Sequence, residues 1–330
     1  MGGRAQAACG SGSRTSFGGT TCADRVRHPS VSARSIAADQ RSEAALEVVG
    51  LTRLMNATTG SPSVTVALLD GPVAIDHPGL SRKVITEGSR RFRAGCSLEA
   101  SEACRHGTFV AGMLVARRGE FAPAICPGCR LLVRPIFPEH LGRSRRQATA
   151  TAATLASAIM EVVDDGARVI NLSAAMFNVS STGDSLVEHA LDYAARHGVV
   201  IVAAAGNHET LGSSSLTRHP WVISVVACYL SGRPIAMSHL STSIGRRGLR
   251  APGYAITSLS SDGKPLTLTG TSAAVPFVTG TVALLMSLYP AATSQSLIHA
   301  VTRPRRGGRS TIVPPLIDAS AAYNVLASAF

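Results

Sequence analysis

At 330 residues the chain is long enough for one large α/β domain with a tail, or for two smaller domains. Hydrophobic residues make up 45% of it, enough for a globular core, while runs such as VVIVAAAG and TVALLMSLY fall short of the ~20 residues of a membrane-spanning helix. The formal charge of +12 is almost wholly arginine, scattered through RSRR (143–146), GRRGLR (245–250) and RPRRGGR (303–309), and aromatics are only 4%. A nucleic-acid face needs clustered cations with interleaved rings, so no nucleic-acid partner is predicted, and no membrane partner either.

Residues 1–45 are rich in Gly, Ser, Arg and Ala and lack the apolar centre of a secretory signal, which predicts a disordered tail ahead of one domain over 46–330. Without an export signal, a cytoplasmic location is expected. From Val64 onward, short β-branched apolar runs alternate with longer amphipathic segments, the pattern of a mostly parallel sheet with crossover helices. Strands are predicted at VTVALLD, LLVRPIF, ARVINLS, GVVIVAAAG and WVISVVA. Helices are predicted at GTFVAGMLVARR, at ATAATLASAIMEVVDD up to Gly166, and at SLVEHALDYAARH up to Gly198, where Ser185 and Glu188 have capping-box spacing. Further helices are expected over Ala273 to Leu288, with Pro276 in its opening turns, over Ser294 to Thr302, and after a cap at Asp318.

The seven cysteines form no dense framework. CPGC (Cys126 to Cys129) has CxxC spacing, and Cys96 and Cys104 lie upstream. A four-cysteine zinc site lacks its second CxxC; a Cys96–Cys104 or a Cys126–Cys129 disulfide fits better, with reduced thiols the default in a reducing compartment. No metal or cofactor is assigned, and no Asp-rich loop dense enough in oxygen for calcium stands out.

In open parallel sheets, functional groups gather beyond the carboxyl ends of strands. Asp70 ends VTVALLD, and Asn207 follows VVIVAAAG. His106 opens CRHGTFVAGMLV, where the glycine after it permits close packing. Ser272 sits among small residues at a helix start in LTGTSAAVPFVTG. Taken singly, each has a plainer reading: Asp70 and Asn207 as turn residues, His106 as a helix-start histidine, Thr271 or Ser272 as a helix cap. Together they supply what an acyl-transferring serine needs, namely a base, a group that orients the base, and donors for an oxyanion.

These blocks resemble the subtilisin-like serine proteases, the subtilases. HGTFVAG (His106 to Gly112) matches the family's histidine block, and GTSAAVP (Gly270 to Pro276) its serine block. AAGN (Ala204 to Asn207) matches the oxyanion asparagine, and DGPV (Asp70 to Val73) with HPGL (His77 to Leu80) follows the aspartate block. The order Asp, His, Ser is that of subtilisin. The resemblance covers about Val64 to Ala300. It implies a three-layer α/β fold, mostly parallel, with helices on both faces of the sheet. It also implies a serine endopeptidase with Ser272 as nucleophile, His106 as general base, Asp70 as its orienter and Asn207 as oxyanion donor. Leu172, Ser173, Ala174, Ala175 and Gly206 become substrate-binding, INLSAAM (Ile170 to Met176) standing where subtilases offer an edge strand to a peptide. Ala175 stands where glycine is usual, and its methyl group is expected to narrow the first specificity pocket in favour of small or extended side chains. His77 is read as a structural turn residue.

Pro72 departs from the family's Asp-Ser/Thr-Gly, so the loop after Asp70 is expected to differ. The 69 residues ahead of Asp70 are too few for a folded pro-domain with a signal, and the chain is similar to the proteases that mature ribosomal peptides in cyanobactin pathways. This implies a precursor peptide as substrate. A macrocyclase on the same triad and a non-catalytic peptide-binding pseudoprotease remain the alternatives.

Overall fold

A computed structural model describes residues 41–88, 93–139, 150–173, 181–207, 214–236, 238, 240–303 and 312–330. Among the described residues the first helical stretch, α1 (41–48), precedes α2 (Leu51–Ala57) and places Ala45 in the core, so the expected tail boundary at residue 45 falls inside a helix. The rest of the expected tail lies outside the described residues.

Seven strands form one sheet: β1 (Thr65–Asp70), β2 (Ile85–Glu87), β3 (Arg130–Pro135), β4 (Val169–Leu172), β5 (Val200–Ala204), β6 (Val222–Cys228) and β7 (Leu249–Pro252). Their order is β2-β3-β1-β4-β5-β6-β7, and every neighbouring pair is parallel. Successive side chains alternate between two cores. Val66, Leu68, Val169, Val200 and Val202 face one, with Phe109 and Met113 of α3 (Glu102–Val115) and Phe277 of α8 (Thr271–Leu288). Ala67, Leu69, Ile170, Leu172 and Ile201 face the other, with Leu155 of α4 (Ala152–Asp164) and Leu191 of α5 (Ser181–Arg196). Burial on both faces explains why these strands read as continuous apolar runs. The three layers are those expected from the family resemblance.

Short α6 (Ser215–Arg218) and α7 (Thr242–Arg247) flank β6. An antiparallel pair, β8 (Ile256–Ser258) and β9 (Leu266–Leu268), leads into α8, and α9 (Ser294–Thr302) and α10 (Ala319–Ala327) close the chain, the latter capped by Asp318 as predicted. By length and composition α8 could cross a membrane, but 83% of it is buried within the fold, which makes it the core helix of the domain.

Two helix starts differ from expectation. α3 begins at Glu102, where the Ser101 side chain accepts from the Cys104 N–H, so His106 lies in the second turn rather than at the start. α5 begins at Ser181, which places Ser185 and Glu188 inside the helix and not in a capping box.

After β1 the chain adds β2 and β3 on one side of it and then crosses to place β4 on the other, so the strand order reverses at β1, and in open parallel sheets the carboxyl end of such a strand is where functional groups gather. Asp70 is the last residue of that strand.

Candidate active site

Asp70 is fully buried, and its Oδ1 accepts from the Gly71 N–H at 2.6 Å. The same oxygen lies 2.7 Å from His106 Nδ1, and His106 Nε2 lies 3.0 Å from Ser272 Oγ. Three residues brought from β1, α3 and α8 thus form one hydrogen-bonded line. Pro72 has no N–H to offer, and Asp70 Oδ2 meets no donor among the described residues, so one oxygen carries the carboxylate's contacts.

Glycines set how closely α3 approaches this loop. A Cβ at Gly107 would fall 2.4 Å from the Pro72 carbonyl oxygen, and one at Gly71 would fall 2.0 Å from that of Ala103. Gly107→Ala is therefore expected to cost about 1–3 kcal/mol of stability and to lower activity by moving His106 off Asp70. Chemical denaturation alongside peptidase rates checks this, and an unchanged midpoint would show that the contact yields freely.

Burial disfavours a charged His106, yet the charge and hydrogen bond of Asp70, with a smaller contribution from Glu102, outweigh it and raise the imidazole above its ordinary pKa. The ring remains 28% exposed, so it can meet a substrate.

Ser272 is the second residue of α8, and Gly270, not Thr271 or Ser272, occupies the N-cap with no side-chain bond. The Ser272 N–H belongs to the first turn, where backbone donors have no partner within the helix and remain available to an anion. Pro276 lies in the second turn and cannot donate to the Ser272 carbonyl four residues back, a rung the helix forgoes beside the serine. Asn207 follows β5 after Gly206. Its Oδ1 accepts from both the backbone N–H and the hydroxyl of Thr271, at 2.8 and 3.0 Å, which leaves its Nδ2 as the donor end. The carboxamide lies against Gly270, where a Cβ would sit 2.9 Å from Nδ2.

The substrate-binding residues divide. Leu172 pairs with Leu69 on one side and Ala203 on the other, and its side chain is in the core. Its backbone is already paired within the sheet, so it is no edge residue, which corrects the expectation. Ser173 is the first residue beyond that ladder, its N–H directed to the Leu69 carbonyl at 3.4 Å. Ala174 and Ala175 lie outside the described residues. His77 takes the turn role expected of it, accepting from the Gly79 N–H through Nδ1 at 2.9 Å.

Cys96 and Cys104 are disulfide-bonded, whereas Cys126 and Cys129 are buried free thiols, so the four do not converge on a metal and the default of reduced thiols fails for one pair. The sole cluster of potential metal ligands among the described residues is Cys96, Cys104 and Glu139, and both of its sulfurs are spent in that bond. The bond joins α3 to the segment whose Ala94 carbonyl accepts from the Val73 N–H, and so ties the aspartate loop to the histidine helix. It closes a loop of sequence separation 8, for which chain entropy predicts about 2–3 kcal/mol of stabilisation. Cys96→Ser with Cys104→Ser should lower the denaturation midpoint accordingly; equal midpoints with and without reductant would argue against it.

Comparisons with known proteins place the chain in a family. A thermophilic serine proteinase from Bacillus sp. (strain AK1) is 32% identical over 233 residues, 70% of this chain and 54% of that protein; the chain thus spans about half the length of this curated relative. Among solved structures, the prenylagaramide maturation protease PagA superposes with a TM-score of 0.73 at 27% identity, covering 84% of this chain and 98% of that one. The patellamide maturation protease PatA superposes with a TM-score of 0.67 at 28% identity, covering 82% and 98%. The sequence profile of the subtilase family matches residues 61–309, a span that contains Asp70, His106, Asn207 and Ser272, and the chain belongs to that family.

Proposed function

We infer that the protein is a serine endopeptidase working through Asp70, His106 and Ser272. The observation that carries this reading is the unbroken line from Asp70 Oδ1 through both ring nitrogens of His106 to Ser272 Oγ. His106 Nε2 takes the Ser272 proton as Oγ attacks the scissile carbonyl, and the oxyanion is held by the Ser272 N–H and Asn207 Nδ2. The imidazolium, stabilised by Asp70, protonates the departing amine and leaves an acyl-enzyme. Water, deprotonated by the same imidazole, then releases the acid.

The substrate we favour is a ribosomally made precursor peptide with a small residue before the cleaved bond. Likeness to the prenylagaramide and patellamide maturation proteases supports this, at 27% and 28% identity over most of the chain. The Cys96–Cys104 bond supports a compartment oxidising enough to preserve it, in place of the cytoplasm expected from sequence.

The test is digestion of a mixed peptide library in H₂¹⁸O with mass-spectrometric readout. Endopeptidase action predicts new carboxyl termini carrying ¹⁸O, mostly after small residues. Cyclised products lacking ¹⁸O would turn the reading to the macrocyclase, and no products at all to the pseudoprotease.

A further inference from the structure

Asn171 is the third residue of β4, and its side chain points to the α8 face of the sheet, between neighbours Leu68 on β1 and Val202 on β5. It is fully buried, as is Thr279 of α8. The Thr279 hydroxyl donates to Asn171 Oδ1 at 3.0 Å, and Asn171 Nδ2 donates to Ser173 Oγ at 3.1 Å. A carboxamide in an otherwise apolar layer is costly unless its polar atoms are matched, and here each end has one partner. The two partners are informative. Thr279 lies seven residues after Ser272, two helical turns on, and so shares the face of α8 that carries the serine, roughly 10 Å below it. Ser173 is the residue at which β4 leaves the sheet beside the end of β1.

We propose that Thr279 and Asn171 are positioning residues, a buried hydroxyl–carboxamide–hydroxyl chain that sets Ser173 at a defined height against Ser272, where an extended peptide would meet it. The inference rests on the peptidase reading and extends it to residues outside the triad. Turned inward by Asn171, Ser173 Oγ holds its own backbone in one orientation as the strand ends, so a peptide arriving there meets Ser173 in that orientation. A reaction at Ser272 that does not involve an extended chain has no use for this arrangement.

Thr279→Val keeps the shape and removes the hydroxyl; Thr279→Ser keeps the hydroxyl and removes the methyl. Two measurements separate the ideas. Binding of a fluorescein-tagged octapeptide of alternating Ala and Thr, followed by polarisation in the Ser272→Ala background, does not depend on turnover. Labelling of Ser272 by a small fluorophosphonate in the otherwise native chain reports the nucleophile alone. Thr279→Val is expected to weaken octapeptide binding about fivefold, the worth of one hydrogen bond, with the labelling rate unchanged, and Thr279→Ser to restore binding. Octapeptide binding that is unaffected by Thr279→Val overturns the proposal. So does a parallel loss of binding, labelling and thermal midpoint, which would mark a purely structural bond. An unlabelled native chain would count against the peptidase reading only; weaker binding in Thr279→Val would still support the chain to Ser173.

Discussion

Ser272→Ala and His106→Ala are each expected to lower kcat/KM on peptide substrates by about 10⁴–10⁶-fold, and the double variant by scarcely more, because nucleophile and base act as one unit. Oγ is a weak nucleophile until Nε2, 3.0 Å away, can take its proton. Removing either atom removes the same step. Fluorophosphonate labelling followed by peptide mapping should place the adduct on Ser272 in the native chain and find none in either variant. Ser272 lies in the first helical turn, so Ser272→Ala should keep the native thermal midpoint, whereas His106→Ala takes from the buried Asp70 carboxylate its side-chain partner and should lower it. Label on another serine, or full activity in Ser272→Ala, would refute the assignment.

Asp70→Asn should cost about 10⁴-fold in kcat, with a signature in the pH profile. Catalysis needs His106 neutral, so the native rate should rise with pH through a midpoint above the ordinary imidazole value, because Asp70 and Glu102 raise the ring's pKa against the opposing effect of burial. In Asp70→Asn the principal raising charge is gone and burial dominates, so the midpoint should move to lower pH while the plateau collapses. Stability shifts with the same group. The ion pair with charged His106 contributes fully below the ordinary imidazole pKa and is lost as pH rises through the higher folded value. The native protein should therefore lose a little stability across that interval, and Asp70→Asn should not. Rate and denaturation profiles from pH 5 to 9 test both statements, and a variant midpoint above the native one would contradict the assigned cause.

Much of this architecture was legible in short windows of sequence. The five predicted strands all appear, because β-branched runs buried on both faces leave a local apolar signature. Asp318 and Thr293 cap their helices through bonds to N–H groups within three residues, again a local matter. The start of α3 also had a signal, Ser101 three residues ahead of Cys104, that the run of glycine and apolar residues after His106 obscured. β2 and β7 were not foreseen: three and four residues long, they owe their pairing to β3 and β6 and not to any periodicity of their own.

What the amino-acid order determined by itself was the set of reactive groups, each in a local block with its glycine, small-residue or helix-start surroundings. Only the tertiary structure decided which of them meet. The histidine contacts groups 36 and 166 residues away in the chain, Cys96 finds Cys104 and not another thiol, Leu172 proves interior because strands lie on both its sides, and Thr279 reaches Asn171 across 108 residues. Hydrogen bonding within a turn is fixed by neighbours in sequence, whereas contacts between distant segments exist only once strand order and helix register have been set by burial of the two cores.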